Sequence, residues 1–228
     1  MLKDNKKSLP IILIVMFSAF MVAFIDRNIT ATYFTKSLIK IILFLVLPLV
    51  YLYKNKADAV WIKKLFIPNK RDIIHSFFLG IICYSIIIIA YYLFRSRVDF
   101  TVIRNSLTEL MGVNKENFIV ISLYIAFVNS MLEEFFFRGF AFIVLKGKWN
   151  FTFAFVFSAL SFSLYHMGMM ENWFSPLIYL FVLGSLFLCG CIFNYMNYKR
   201  NNIYTSWLTH MFANFAINSI GFFVFEII

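Results

Sequence analysis

The sequence predicts an all-α fold, a polytopic transmembrane helical bundle of about seven spans (six to eight). Three observations carry this. Of the 228 residues 62% are hydrophobic and only 14% are charged, more apolar surface than a soluble core of this size can hide. Six or seven runs of roughly 16 to 25 apolar residues, each bounded by polar or charged clusters, recur from end to end. Gly and Pro are scarce, at 8 and 4, with no Ser-rich tract and no convincing internal repeat, so nothing marks a linker between domains. This composition excludes a disordered chain, a nucleic-acid-binding domain and a disulfide-stapled secreted module. The net charge of +10 then belongs with anionic lipid headgroups, not with nucleic acid.

The spans are placed at residues 9–25, 38–53, 73–94, 118–145, 151–166, 176–195 and 203–225. The first follows a basic start (Lys3, Lys6, Lys7) in the manner of a secretion signal. Asp26, Arg27 and Asn28 stand where a small-residue cleavage site would, so it is read as a retained span. Pro48 is expected to kink or end the second span. Segment 57–71 mixes Trp61, Leu65 and Phe66 with Lys63, Lys64, Lys70 and Arg71, a composition that suits a short piece in the headgroup zone. His75, beside Arg71 and Asp72, reads as interfacial. Cys83, Cys189 and Cys191 lie in apolar runs and read as small packing residues.

With the N-terminus inside, the segments on that side carry thirteen Lys and Arg. The opposite side carries seven: Arg27, Lys36, Lys40, Arg95, Arg97, Arg104 and Lys115. The bias places the N-terminus in the cytoplasm and the C-terminus outside a cell membrane crossed several times. Residues 1–117 are taken as N-terminal spans and interfacial loops and 118–228 as a helical core, together one compact membrane domain.

Charged side chains inside a span cost about 2.5–3.5 kcal/mol each on insertion scales and usually face a bundle interior. The fourth span holds three within six residues: Glu133, Glu134 and Arg138. Glu134 and Arg138, four apart, meet on one helix face as an ion pair. Glu133 is rotated about 100° from that face, which leaves it free to act as a general acid or base. A purely structural polar knot is the competing explanation. Two of the three histidines also sit in apolar spans, His166 at the end of the fifth and His210 in the seventh. Asn214 and Asn218 continue the His210 stripe at four-residue spacing. A single intramembrane His is usually a satisfied core residue. Two of them with a diacidic helix and an Asn stripe are better explained together. A carboxylate and an imidazole can deprotonate one water, while a second imidazole and an amide N–H stabilise an oxyanion, which is the chemistry of peptide-bond hydrolysis. No Gly-x-Ser-x-Gly elbow supports a serine nucleophile. Glu133, His166 and His210 are acceptable zinc ligands in kind, but the His-Glu-x-x-His pattern is absent.

Three blocks in order, Glu133-Glu134-x-x-x-Arg138, Phe162-x-x-x-His166 and His210-x-x-x-Asn214, make the region from about residue 120 to 220 resemble the CPBP (Abi) intramembrane proteases. That family comprises type II CAAX prenyl endopeptidases and bacterial relatives linked to bacteriocin processing, self-immunity and peptide-pheromone maturation. The resemblance implies that Glu133 and His166 activate water, that His210 and Asn214 form the oxyanion site, and that Glu134 and Arg138 orient the helix. The family has been described both as metalloproteases and as metal-free glutamate enzymes. The metal-free alternative is preferred, with no cofactor required; zinc, if bound, would sit on Glu133, His166 and His210. The Lys, Asn, Ile and Phe bias points to an AT-rich bacterial genome, hence to a bacterial peptide precursor or membrane protein as substrate, entering a water-filled cavity among the last four spans.

Glu133→Ala or His166→Ala is then expected to abolish activity in a protein that still inserts and folds. A non-catalytic bacteriocin self-immunity or peptide-binding protein would tolerate both changes. A proton- or ion-coupled transporter would show gradient-dependent uptake, but the repeats common in such folds are absent. One geometric tension stands out. At about 1.5 Å per residue from the expected span ends, Glu133 and His166 lie roughly 20 Å from the inner edge and His210 about 10 Å.

Overall fold

The computed structural model describes residues 5–227, with side chains from residue 7 onward; Lys3 and the Lys6 side chain of the basic start lie outside the described residues. Those residues form nine helices and no strand: α1 Asn5–Asn28, α2 Tyr33–Lys54, α3 Lys56–Leu65, α4 Lys70–Phe94, α5 Phe100–Met111, α6 Phe118–Lys148, α7 Phe151–Tyr165, α8 Pro176–Arg200 and α9 Ile203–Val224. Five of them, α1, α2, α4, α6 and α8, are long and apolar enough to cross a membrane. The two remaining expected spans differ. With 15 residues, α7 reaches only about 22 Å of the roughly 30 Å hydrocarbon thickness. At 22 residues α9 has the length, but it buries Thr205, Ser206, Thr209, His210, Asn214 and Asn218 and is not among the five.

Side-chain caps set the helix starts. Asn69, Asn150 and Asn202 each accept backbone N–H bonds at the heads of α4, α7 and α9. The outward faces are apolar: Ile82, Ile86 and Ile89 on α4 and Leu177, Leu180 and Phe181 on α8 are more than half exposed, a surface suited to lipid.

The centre of the bundle is α6. Half of its apolar window is buried, against 11% in α4 and α8, and every side chain from 132 to 145 is buried. Around it lie Ile11 and Val15 of α1, Phe44 and Leu52 of α2, Phe162 of α7 and Ile203 of α9. Segment 57–71 does more than lie at the headgroups. Its helix α3 buries Asp58, Ile62 and Leu65, with Ile62 and Leu65 joining the core, while Trp61 stays exposed. Asp58 takes the Lys148 ammonium at 3.0 Å and the Tyr51 hydroxyl at 3.1 Å.

Nor does Pro48 end the second span. The turn before it, Ile42–Val46, is π-helical, with the Leu47 N–H reaching back to the Ile42 carbonyl, and the helix runs on to Lys54. That wider turn absorbs the missing proline donor. It also holds Phe44 flat on Phe136, with ring centroids 4.1 Å apart. In α6 two further stretches, Ile125–Asn129 and Glu134–Val144, are π-helical; the second carries Glu134 and Arg138, and Glu133 lies between the two. Lys36 and Lys40, placed above in an outer connection, lie inside α2 and point inward. The side opposite the N-terminus then keeps five cations instead of seven.

Candidate active site

The described structure draws Glu133, Glu134, Arg138 and His210 into direct contact. Arg138 Nε lies 3.4 Å from Glu134 Oε2 and both side chains are fully buried. The guanidinium sits over the Phe162 and Phe193 rings, 4.1 and 5.0 Å from their centroids. All three Arg138 nitrogens and Glu134 Oε2 lack a hydrogen-bond partner, so the pair is held by charge and ring faces. From α9, His210 Nδ1 approaches Glu134 Oε1 at 2.9 Å. An ionised carboxylate only accepts, so Nδ1 is the protonated nitrogen and Nε2 is directed elsewhere, 3.8 Å from Glu133 Oε2. The depth offset expected between Glu133 and His210 is closed in the fold, which brings His210 Nε2 to that 3.8 Å from Glu133 Oε2.

His166 caps the C-terminus of α7. Its Nδ1 lies 2.7 Å from the Phe162 carbonyl, which fixes Nδ1 as donor and leaves Nε2 with a free lone pair. The Phe162-x-x-x-His166 spacing thus sets a tautomer: the residue four before the histidine supplies the acceptor. Asn214 and Asn218 do not touch the carboxylates. Their amides donate to the Ile125 and Ser122 carbonyls of α6 at 3.1 and 2.8 Å, and pin α9 to α6 about two to three turns before Glu133.

Glu133 is not free, as the sequence had led us to expect. Lys40 Nζ lies 2.7 Å from its Oε1, and the Asn129 amide donates to the same oxygen at 2.6 Å. Lys40 also donates to the Tyr165 hydroxyl at 3.3 Å and lies 4.9 Å from that ring. Lys40, Asn129 and Tyr165 are the site residues that the sequence reasoning missed. A signal for Lys40 existed: a lone cation just inside an apolar span needs an anion, and the only intramembrane carboxylates without an obvious partner were in α6.

Glu133, His166 and His210, the ligands zinc would take if bound, are not grouped as a metal site in this arrangement. Glu133 Oε1 is occupied by an ammonium, His210 gives one nitrogen to Glu134, and its other lies 3.8 Å from the carboxylate. Among the described residues no three His, Cys, Asp or Glu side chains are grouped to hold an ion. The expected water-filled cavity is not at the carboxylates either, since Glu133 is 1% exposed. A cavity of about 400 Å³ instead opens between α4, α6 and α9, lined by Tyr84, Phe212, Phe215 and Asn218.

The segment after His166 packs across one end of the site. Glu171 pairs with Arg27 of α1, and Trp173 Nε1 donates to Ser106 of α5 at 3.1 Å. Gly168 presses on α1 so tightly that a Cβ would lie 2.6 Å from the Ala23 carbonyl carbon and closer still to its oxygen. Backbone cannot yield as a side chain can. Gly168→Ala is therefore expected to lower Tm and, by lifting the segment that follows His166, to slow any reaction at the site. Gly184→Ala, with nothing within 4 Å, should be neutral in both. Thermal unfolding in detergent of the two variants checks this.

Residues 115–216 match the family model described as type II CAAX prenyl endopeptidase Rce1-like. No curated protein matches the chain, and no solved structure does.

Proposed function

We propose that this protein is an intramembrane endopeptidase hydrolysing a peptide bond of a bacterial peptide precursor or membrane protein, because residues 115–216 match the type II CAAX prenyl endopeptidase Rce1-like family model. It would work as a multi-pass protein of the cell membrane with a cytoplasmic N-terminus. The observation that supports this most is the division of Glu133: Oε1 holds two donors, while buried Oε2 has none and faces His210.

In the proposed reaction Glu133 Oε2 takes a proton from a water aligned by the His166 Nε2 lone pair. The resulting hydroxide adds to the scissile carbonyl carbon. The oxyanion accepts from the second Asn214 amide N–H and from His210 Nε2 when both ring nitrogens carry protons. Collapse breaks the C–N bond, and Glu133 returns its proton to the leaving amine. Glu134, backed by Arg138, holds the His210 ring in place, and no metal is required. Since Glu133 is buried, the substrate enters only when helices part around the site.

The alternative, a non-catalytic bacteriocin self-immunity or peptide-binding protein, draws on the same Lys40–Glu133 pair, because a neutralised carboxylate also serves as a structural knot. His166→Ala separates the two. Its ring hydrogen-bonds a backbone carbonyl and packs on the Phe162 and Tyr165 rings, so its loss strands no buried charge. Under hydrolysis, intact precursor peptides accumulate in cells at unchanged membrane levels of the variant, as read by mass spectrometry. An unchanged peptide pattern with persisting immunity would sink the protease reading.

A further inference from the structure

We propose that Lys40 is a positioning residue for Glu133. With the Asn129 amide it fixes one carboxylate oxygen and leaves the other as the proton acceptor. This rests on Glu133 being the general base.

The argument begins with charge. The buried cluster holds two carboxylates, Glu133 and Glu134, and one cation on the same helix, Arg138, which approaches Glu134. Without another cation a second carboxylate would stand uncompensated in the bundle core. Lys40 supplies it from α2, and with it the formal charges of the four groups sum to zero. Lys36, one turn earlier, cannot substitute: its ammonium is given to the Asp26 carbonyl at 3.1 Å, with the Asp26 carboxylate at 4.0 Å.

Geometry carries the rest. Two donors at 2.7 and 2.6 Å converge on Oε1, so the carboxylate cannot rotate without breaking both bonds. Oε2 is left bare and aimed towards His210. The ammonium is itself fixed between the Phe44 and Tyr165 rings, at 5.5 and 4.9 Å. The Tyr165 ring lies 4.0 Å from that of His166. One side chain on the second helix therefore sets both members of the water-activating pair, Glu133 directly and His166 through Tyr165. A base misplaced by about 1 Å loses on the order of 10²-fold in rate.

The test uses the full-length protein in detergent micelles with a quenched fluorescent peptide ending in a prenylated CAAX sequence. Lys40→Met, Lys40→Gln and Lys40→Arg are compared with the wild type and with Glu133→Gln. Lys40→Met and Lys40→Gln are expected to lower kcat about tenfold or more at unchanged KM, and Lys40→Arg, which keeps a cation and donors, to recover most of it. Melting temperatures of Lys40→Met, Glu133→Gln and the double variant read the contact without substrate. Lys40→Met should cost several degrees alone and little once Glu133→Gln is present. Wild-type kcat in Lys40→Met, or in Lys40→Gln should Lys40→Met fail to accumulate, overturns the proposal. So does a purely additive double variant. Activity surviving in Glu133→Gln would instead overturn the general-base reading. A wild-type protein that leaves the reporter intact speaks against prenylated CAAX peptides as substrate; the Lys40 variants are then read by intact precursor peptides accumulating in cells, by mass spectrometry, and a wild-type peptide pattern in Lys40→Met overturns the proposal.

Discussion

Glu133→Gln is expected to reduce peptide processing by about 10²- to 10⁴-fold, the contribution typical of a positioned general base. The variant should still accumulate as folded protein. Its amide oxygen can accept from Lys40 and Asn129 as Oε1 does, and its volume fills the same buried space. Only the ability of the second oxygen to take a proton disappears. Tm falls somewhat, because the Lys40 ammonium loses its anion, but that side chain retains 15% exposure and the Tyr165 hydroxyl as a partner. Glu133→Ala is a poorer test than the sequence suggested. It leaves both donors without an acceptor and opens a void where a fully buried side chain stood, so lost activity would be mixed with lost fold. Rates from purified protein, with the folded fraction measured by size-exclusion chromatography, decide the matter. A Glu133→Gln variant that processes at the wild-type rate removes Glu133 from the chemistry.

Arg138→Met carries the largest expected stability loss. Glu134 is fully buried, and removing the guanidinium leaves it facing only His210, which typically costs about 3–5 kcal/mol. The expected result is little or no folded protein in the membrane. Combining it with Glu134→Leu replaces the whole ion pair by apolar groups of similar size, a change that is often neutral or stabilising. The double variant should therefore recover most of the lost Tm in detergent while remaining inactive, since His210 Nδ1 has lost its acceptor. If Arg138→Met alone melts like the wild type, the ion pair is not what holds this part of α6.

The helices were legible because each apolar run ends in polar residues: all seven expected starts fall within five residues of the observed ones, with α9 beginning at Ile203 as expected. The helix α5 was missed although its punctuation is in the sequence. Asp99 caps it by accepting from the Thr101 N–H, and Gly112 ends it at φ +64°. Its twelve residues fell between two long apolar runs and were passed over as connection. Of the motif residues, Glu133, Glu134, Arg138 and His210 come into contact, but the sequence could not reveal that Lys40 faces them. A window along the chain records that a charge sits near a span end; which face of the helix bears it depends on the partner helix, and that partner is encoded 93 positions away.

This separation has a consequence for how the protein is made. At about 5–20 residues per second, roughly 5–20 s of synthesis lie between Lys40 and Glu133. During that interval the first hairpin is complete and Lys36 already has Asp26 beside it, whereas the anion for Lys40 does not yet exist. A flexible lysine near the start of its helix can reach up to the lipid headgroups in the meantime. The arrival of α6 must then draw the ammonium away from the headgroups and into the bundle, so the polar core is formed by a late exchange of partners within the bilayer, after the helix that carries Lys40 has been inserted.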